Sequence, residues 1–255
     1  MLKFFRKIRK ELIVEKKVSN YLLYAFGEIA LVVVGILIAL AIDNANDNRL
    51  KREKEQVYLK GLKEEFDISK IKLEELIKIN RRSYEAAQEI VLLMGDGHVA
   101  TEEGFSNLLS DAFTNDIFFN PNNSLLNEMI NSGSLKDISN DTLRIRLTNW
   151  ISTIDDIANQ EKMLGEERNN TVNVFRDEGY SIHTLLDNTG MSQRLGIPTS
   201  KNPISNLGAL ESVAFENNLL LFIITSQSTE IDHYNPLMVS LNSILETINN
   251  ELENK

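Results

Sequence analysis

The stretch YLLYAFGEIALVVVGILIALAI, residues 21–42, decides the architecture of this chain. Glu28 is its only charged residue. At a rise of about 1.5 Å per residue, a helix of this length crosses the roughly 30 Å hydrocarbon core of a bilayer. A cleaved signal peptide is the alternative, but its apolar region usually extends over only about 7–15 residues. The stretch therefore predicts one transmembrane helix.

The charges on either side of this helix predict its orientation. Residues 1–20 hold seven Lys or Arg against Glu11 and Glu15, whereas residues 43–48 hold none. Lys and Arg are enriched on the cytoplasmic side of membrane proteins. We therefore expect a protein of the bacterial inner membrane with a cytoplasmic N-terminus and a periplasmic C-terminal domain.

The basic N-terminal residues also have an amphipathic pattern. At helical spacing, aromatic and aliphatic side chains of residues 2–17 share one face and basic side chains the opposite one. A helix of this kind lies in the membrane interface. A disordered basic flank that serves only as a topology signal is the alternative. The predicted membrane-surface residues are Phe4, Phe5, Arg6, Lys7, Ile8 and Lys10.

Small residues and one carboxyl group mark a face of the predicted transmembrane helix. Gly35 and Ala39 are four residues apart, and Gly27 lies eight residues before Gly35. Small residues let a second helix approach closely, and an ionisable group in the membrane usually faces a partner or water. We predict an intramembrane interaction site of Gly27, Glu28, Gly35 and Ala39. The alternatives are that Glu28 reaches the headgroups and that the small residues reflect ordinary membrane composition.

Beyond the membrane, residues 44–94 contain no proline and a single glycine, Gly61. Two series of residues seven apart form an imperfect a/d seam on one face of a helix. The first series is Leu59, Phe66, Leu73, Asn80, Ala87 and Met94, and the second is Leu62, Ser69, Leu76, Ser83 and Ile90. The pattern predicts a helix that continues from the transmembrane segment to about Gly95.

Similar spacing predicts two further long helices. The first begins near Asn140, with Leu143, Leu147, Trp150, Ile154, Ile157 and Leu164 on one face. The second covers about residues 209–252. Its two series are Ile224, Ile231, Met238, Leu245 and Leu252, and Leu220, Gln227, Tyr234, Leu241 and Ile248. Residues 187–208 between them are rich in Gly, Pro and polar residues, which predicts a loop.

The predicted fold class is therefore all-α, with one N-terminal transmembrane helix followed by an elongated helical bundle with coiled-coil-like long helices. Residues 1–20 form a cytoplasmic basic amphipathic segment, residues 21–42 the transmembrane helix, and residues 43–255 the extracytoplasmic bundle. No stretch alternates apolar and polar residues for long enough to predict a sheet.

Composition and motifs limit the chemistry. Residues 21–255 hold 20 basic and 35 acidic side chains, which argues against nucleic-acid binding. The chain has no cysteine, and we expect no catalytic residue, metal or cofactor. Glu230 and His233 have the Glu-x-x-His spacing of half a di-iron site, but no second half accompanies them. Pairs of adjacent carboxylates occur at four places, and they predict solvated helix faces. These pairs are Glu64-Glu65, Glu74-Glu75, Asp155-Asp156 and Glu166-Glu167.

Residues 17–40 and 129–147 resemble a family of uncharacterised single-span membrane proteins found mainly in Bacteroidota. Its members have a basic N-terminus followed by a Tyr-Leu-Leu-Tyr-Ala-x-Gly-Glu transmembrane motif, which residues 21–28 match. The second stretch matches through Ile130, Ser132, Gly133, Leu135, Ile138, Asn140, Leu143 and Arg144. Residues 43–46, Asp-Asn-Ala-Asn, depart from an Asn-Asn-Trp-type stretch of the relatives. The resemblance implies a topology and no catalytic activity.

The leading functional hypothesis is a non-enzymatic, membrane-anchored envelope protein that acts as an oligomeric or complex-forming interaction module. Its expected partners are the lipid bilayer and either a second copy or another membrane or envelope protein. The alternative is a sensory or transport/channel accessory subunit that uses the intramembrane Glu28. A membrane-tethered metalloenzyme would depend on Glu230 and His233 alone.

Overall fold

The computed structural model describes residues 18–95, 99–176 and 179–253. Within these ranges the regular structure is entirely helical, and a long apolar N-terminal helix is followed by a helical bundle. The predicted all-α fold class is confirmed. The chain divides into two compact units, Met1–Gln56 and Val57–Lys255. The second unit contains the bundle.

The helices have the following bounds in chain order. They are α1 (Val18–Leu93), α2 (Glu102–Phe113), α3 (Ser124–Ser132), α4 (Asp141–Asn173), α5 (Ile182–Asn188), α6 (Met191–Leu195), α7 (Val213–Ser228) and α8 (Asn235–Glu253). A π-helical segment, Thr229–Tyr234, separates α7 from α8. Short 3₁₀ turns occupy Ser134–Asp137, Val174–Arg176 and Leu207–Glu211.

Side chains near their N-termini cap several of the helices. Thr101 accepts a hydrogen bond from the Gly104 amide at 3.1 Å, and Asn140 accepts one from the Leu143 amide at 2.9 Å. Each oxygen satisfies an amide that the first helical turn leaves without a partner. At the other end of α3, Gly133 has φ 73°, a left-handed conformation that glycine adopts without strain. The position of Asn140 agrees with the helix start predicted from the sequence.

The a/d seam predicted for α1 is the face that enters the core. Every member except the half-buried Met94 is buried, and these buried residues are Leu59, Leu62, Phe66, Ser69, Leu73, Leu76, Asn80, Ser83, Ala87 and Ile90. On α4 the predicted face is buried from Leu143 to Leu164 apart from the half-buried Ile154. Trp150 is central, with its ring 5.0 Å from that of Phe66.

α3 packs against α1 at a position that the sequence did not predict. Gly61 provides the space, because a Cβ atom there would lie 2.5 Å from Cδ2 of Leu125. Glu65, one turn further along α1, accepts hydrogen bonds from the amides of Leu125 and Leu126 at 2.6 and 3.2 Å. The expectation of a solvated face is wrong for this carboxylate, which caps the first turn of α3.

The C-terminal region is not the single helix predicted over residues 209–252. The chain leaves α-helical geometry at Thr229 and returns to it at Asn235. Pro236 explains this position, because proline donates no N–H and its ring crowds the preceding turn of an α-helix. A π-helix accommodates an additional residue in each turn. The residues before and after the π-helical segment therefore follow different registers.

This change of register decides which residues face the core. Before the π-helical segment the buried series is Phe215, Leu219, Phe222 and Ser226. From the last residue of that segment onward the buried residues are Tyr234, Leu237, Leu241, Ile244, Leu245 and Ile248. The predicted seam is thus correct from Tyr234 onward. It is wrong for Leu220, Ile224 and Ile231, which are exposed.

The stretch predicted as a loop, residues 187–208, contains α6 and is fastened to the bundle by polar contacts. Glu102 of α2 accepts a hydrogen bond from the Asn206 amide at 2.9 Å. The Asn206 side chain is buried and makes two hydrogen bonds to the backbone of Ser181, at 2.7 and 2.9 Å. These contacts hold the end of the stretch against α2 and the start of α5.

Candidate functional site

The apolar segment of α1 is exposed on all sides. Its exposed large side chains are Leu22, Leu23, Phe26, Ile29, Leu31, Val32, Val33, Val34, Ile36, Leu37, Ile38, Leu40 and Ile42. A helix that is apolar all round is stable in a protein core or in a membrane, and no part of the described chain covers this one. From Ala25 onward, α1 is long and apolar enough to cross a bilayer. It is the candidate membrane span among the described residues.

The predicted intramembrane site falls on this span. Glu28, Gly35 and Ala39 follow each other at intervals of seven and four residues, so they share one face. Gly27 lies about 80° away from Gly35 around the helix at 100° per residue. A Cβ atom added at Gly27 or Gly35 would meet no described atom within 4 Å. The face is thus open to a second helix.

The predicted membrane-surface site lies outside the described residues. It comprises Phe4, Phe5, Arg6, Lys7, Ile8 and Lys10.

A layer of polar side chains crosses the interior of the second unit where α1, α4 and the π-helical segment meet. We call it the polar layer, and its buried members are Asn80, Ser83, Glu161, Ser226, Thr229, Glu230 and Tyr234. The Asn80 amide donates to the Ser226 carbonyl at 3.0 Å. Gln160 donates to the Thr229 hydroxyl at 3.0 Å. These bonds join helical segments that are distant in sequence.

Glu161 and Tyr234 form a buried hydrogen-bonded pair in the polar layer. One carboxylate oxygen of Glu161 accepts from the Tyr234 hydroxyl at 2.7 Å and from the Phe119 amide at 2.8 Å. Burial raises the pKa of Glu161 above its ordinary value, and the two hydrogen bonds oppose this shift. Burial and the adjacent carboxylate raise the pKa of Tyr234. The pair therefore favours a protonated tyrosine and opposes ionisation of Glu161.

Glu230 lies on the inner side of the π-helical segment and forms an ion pair with Arg81 of α1. His233 of the same segment is only half-buried. The described residues contain no group of three or more His, Asp or Glu placed to hold a metal ion. Arg81 thus satisfies one oxygen, Oε1, of the Glu230 carboxylate.

Several buried atoms of the polar layer have no hydrogen-bond partner within the described part of the chain. They are Oδ1 of Asn80, Oγ of Ser83, Oε2 of Glu161, Oγ of Ser226 and Oε2 of Glu230. Buried oxygens of this kind are usually satisfied by internal water.

A second apolar surface lies on the outside of the bundle, and the sequence analysis did not predict it. We call it the α7 stripe, and its exposed members are Val213, Leu220, Leu221, Ile224 and Ile231. The sequence did carry a signal, because α7 is apolar on nearly all sides. We expected Leu220, Ile224 and Ile231 in the core because the predicted heptad spacing continues through them.

Comparison with known proteins identifies a family. The model of a family of unknown function (DUF6090) matches residues 28–186, which is more than half of the chain. The match begins at Glu28 inside the candidate span and continues into α5. It includes residues 129–147, where the second part of the sequence resemblance lies. No curated protein and no solved structure matches the chain.

Proposed function

We propose that this chain, which belongs to that family of unknown function, is a non-enzymatic envelope protein. Residues 21–42 anchor its helical bundle in the bacterial inner membrane. It assembles there with a second copy or with another membrane or envelope protein. The observation that carries the proposal is the exposure of apolar side chains on every side of α1 over residues 22–42.

The energetics favour a bilayer around this segment. Burial of a Leu, Ile, Val or Phe side chain is worth roughly 1.5–3 kcal/mol relative to exposure in water. Most side chains of residues 22–42 are large, apolar and exposed. Their combined transfer free energy far exceeds the usual stability of a folded domain, about 5–15 kcal/mol. The segment therefore needs an apolar environment.

The proposed orientation depends on the basic N-terminus. Residues 1–20 carry seven Lys or Arg, and the segment that follows the span carries none before Arg49. The positive-inside tendency then places residues 43–255 in the periplasm. The resemblance of residues 17–40 to single-span proteins of Bacteroidota supports the same topology.

The non-enzymatic role is supported by the use of the buried polar groups. Glu65 caps α3, Glu161 binds Tyr234, and Glu230 pairs with Arg81. Each of these carboxylates has a structural partner in the bundle. The open features of the described chain are instead apolar or small-residue faces, which suit association.

Topology and anchoring can be tested together. A reporter that is active only outside the cytoplasm, fused after Lys255, should be active, and a reporter active only in the cytoplasm should not. The chain should stay with the membranes in alkaline carbonate because the span is integral. The opposite reporter pattern would overturn the orientation, and release by carbonate would overturn the anchor.

The face of Glu28, Gly35 and Ala39 is tested by blocking close approach. Gly35→Leu should dissociate the complex isolated in mild detergent, and Glu28→Gln should weaken it less because the amide still forms hydrogen bonds. Ala30→Leu is the matched control, since Ala30 is exposed and lies on the opposite side of the helix, about 180° from Ala39. Equal effects of Gly35→Leu and Ala30→Leu would exclude this face as the contact.

A further inference from the structure

Residues 193–205, which we call the strap, connect the end of α6 to the 3₁₀ turn that precedes α7. All of them are exposed except the half-buried Ser200. The large side chains Leu195, Ile197 and Ile204 are 62, 39 and 50% exposed, so they contribute little to the core. The position of the strap on the bundle therefore depends mainly on polar contacts.

Two carboxylates from different helices hold the strap against the bundle. On α5, Asp187 accepts a hydrogen bond from the Ser200 amide at 2.9 Å. On α2, Glu102 accepts hydrogen bonds from the Ser205 hydroxyl at 2.6 Å and from the Asn206 amide at 2.9 Å. Hydrogen bonds to an ionised acceptor are stronger than those between neutral groups. Each carboxylate therefore opposes movement of the strap away from its helix.

The ends of the strap are fixed more firmly than its middle. Ser192 before it and Asn206 after it are only 2 and 0% exposed. Asn206 also makes two hydrogen bonds to the backbone of Ser181. Within the strap, the Pro198 carbonyl accepts a hydrogen bond from Nε2 of His183 at 2.9 Å. An exposed segment between two buried residues has the limits expected of a local opening.

Segments that bury little apolar surface and whose hydrogen bonds lie near solvent open at a lower free energy than the whole domain unfolds. We propose that the strap opens as one unit while the surrounding helices stay folded, and that Glu102 and Asp187 hold it closed. Opening uncovers α5 and the first turn of α2, so this end of the bundle has two conformations. The inference is independent of the membrane anchor, because all of these residues belong to the second unit.

Hydrogen exchange of the full-length chain in mild detergent tests whether the strap opens as one unit. Glu102→Ala removes the acceptor on α2. The Ser200 amide donates to Asp187 and makes no contact with Glu102. If the strap opens as a whole, the Ser200 amide should nevertheless exchange at least about fivefold faster in this variant. Amides in the middle of α4 should keep their parent rates, which shows that the bundle stays folded.

Glu103→Ala is the matched control. Glu103 is exposed and lies in the same first turn of α2. Both variants therefore remove one negative charge from the N-terminal end of this helix, where such a charge is favourable. Only Glu102 binds the end of the strap. The exchange rate of the Ser200 amide should stay within about twofold of the parent value in Glu103→Ala.

Limited trypsin digestion gives a second measurement. Trypsin cleaves after Lys and Arg, and the strap contains Arg194 and Lys201. These sites should be cleaved earlier than Lys162, which is exposed but lies within α4. Glu102→Ala and Asp187→Ala should each accelerate cleavage after Lys201 by at least about fivefold, because cleavage follows the population of the open form.

Three results would overturn the proposal. If Glu102→Ala changes only the exchange of the amide that it contacts, the strap does not open as one unit. If Glu102→Ala and Glu103→Ala have equal effects, Glu102 does not hold the strap closed. If amides of α4 accelerate as much as that of Ser200, the exchange reports unfolding of the whole bundle. None of these readouts involves residues 21–42, so this inference and the proposed anchor can fail separately.

Discussion

Two regions of this molecule have nearly the same heptad pattern, but the residues of the pattern differ in burial. In α1, the residues from Leu59 to Ile90 that recur at heptad spacing are all buried. In the C-terminal region the pattern is more regular and more apolar, yet Leu220, Ile224 and Ile231 are exposed. Heptad spacing predicts a buried face only where every turn contains the same number of residues. The π-helical segment breaks that condition.

The polar members of the two patterns show the same contrast. Asn80 and Ser83 interrupt the α1 series and are nevertheless buried, and Asn80 donates a hydrogen bond to the Ser226 carbonyl across the polar layer. In the C-terminal region, apolar Ile224 faces outward. Position in the register therefore outweighs the hydrophobicity of a single residue.

Single-residue deletions should separate the two regions most strongly. Deleting Glu74, an exposed residue of α1, rotates one half of the buried series by about 100° relative to the other and should abolish cooperative folding. Deleting Asp232 in the π-helical segment converts it to α-helix and keeps both flanking series aligned, so the fold should survive. Thermal melting of the full-length chain in detergent, followed by circular dichroism, measures both effects.

Equal loss of the melting transition in both deletions would show that the π-helical segment is not a register correction. Fluorescence of Trp150, which is buried and is the only tryptophan of the chain, reports whether the core is retained.

Truncation of predicted seam residues on either side of the π-helical segment is the next largest contrast. Leu241→Ala should cost roughly 2–5 kcal/mol in the free energy of unfolding, because Leu241 is fully buried. Ile231→Ala should change it by less than about 0.5 kcal/mol, because that side chain is mostly exposed. Urea unfolding of the two variants compares these free energies. A similar loss of unfolding free energy in the two variants would indicate that Ile231 belongs to the core.

The adjacent carboxylates of α1 offer a smaller contrast. Glu65→Ala removes the acceptor for the Leu125 and Leu126 amides and should cost about 1–2 kcal/mol. Glu64→Ala is the control, because Glu64 is exposed and should change stability by less than about 0.5 kcal/mol. If both variants unfold at the same urea concentration, the cap does not contribute to stability.

The pH dependence of Glu161 is the most subtle test. Burial raises its pKa above the ordinary value of 4.5, so the folded state favours the protonated carboxyl. The stability associated with this group is fully present below pH 4.5 and is lost as the pH rises through the folded-state pKa. Glu161→Gln does not ionise and should gain stability relative to the parent chain over that interval. A constant difference between the two chains from pH 4 to pH 8 would exclude a raised pKa.

The sequence also shows where a candidate site can be predicted. The candidate span could be predicted because a helix that crosses a bilayer needs a long apolar run. The interaction face of Glu28, Gly35 and Ala39 on it stays a prediction. The α7 stripe was missed, although Leu220, Ile224 and Ile231 were singled out, because heptad spacing alone does not show that a change of register turns these residues outward. Glu65 was misassigned because α3 approaches α1 only after the chain has turned back on itself.

By itself, the sequence determined the all-α class, the candidate membrane span, and the buried faces of α1 and α4. These follow from local periodicity and from the length of one apolar run, and both are properties of consecutive residues. Only the tertiary structure decided the register on either side of Thr229–Tyr234, the capping of α3 by Glu65 and the pairing of Glu161 with Tyr234. These depend on contacts between residues far apart in the chain, where the backbone geometry next to Pro236 and the packing of neighbouring helices select one arrangement among several that local pattern permits.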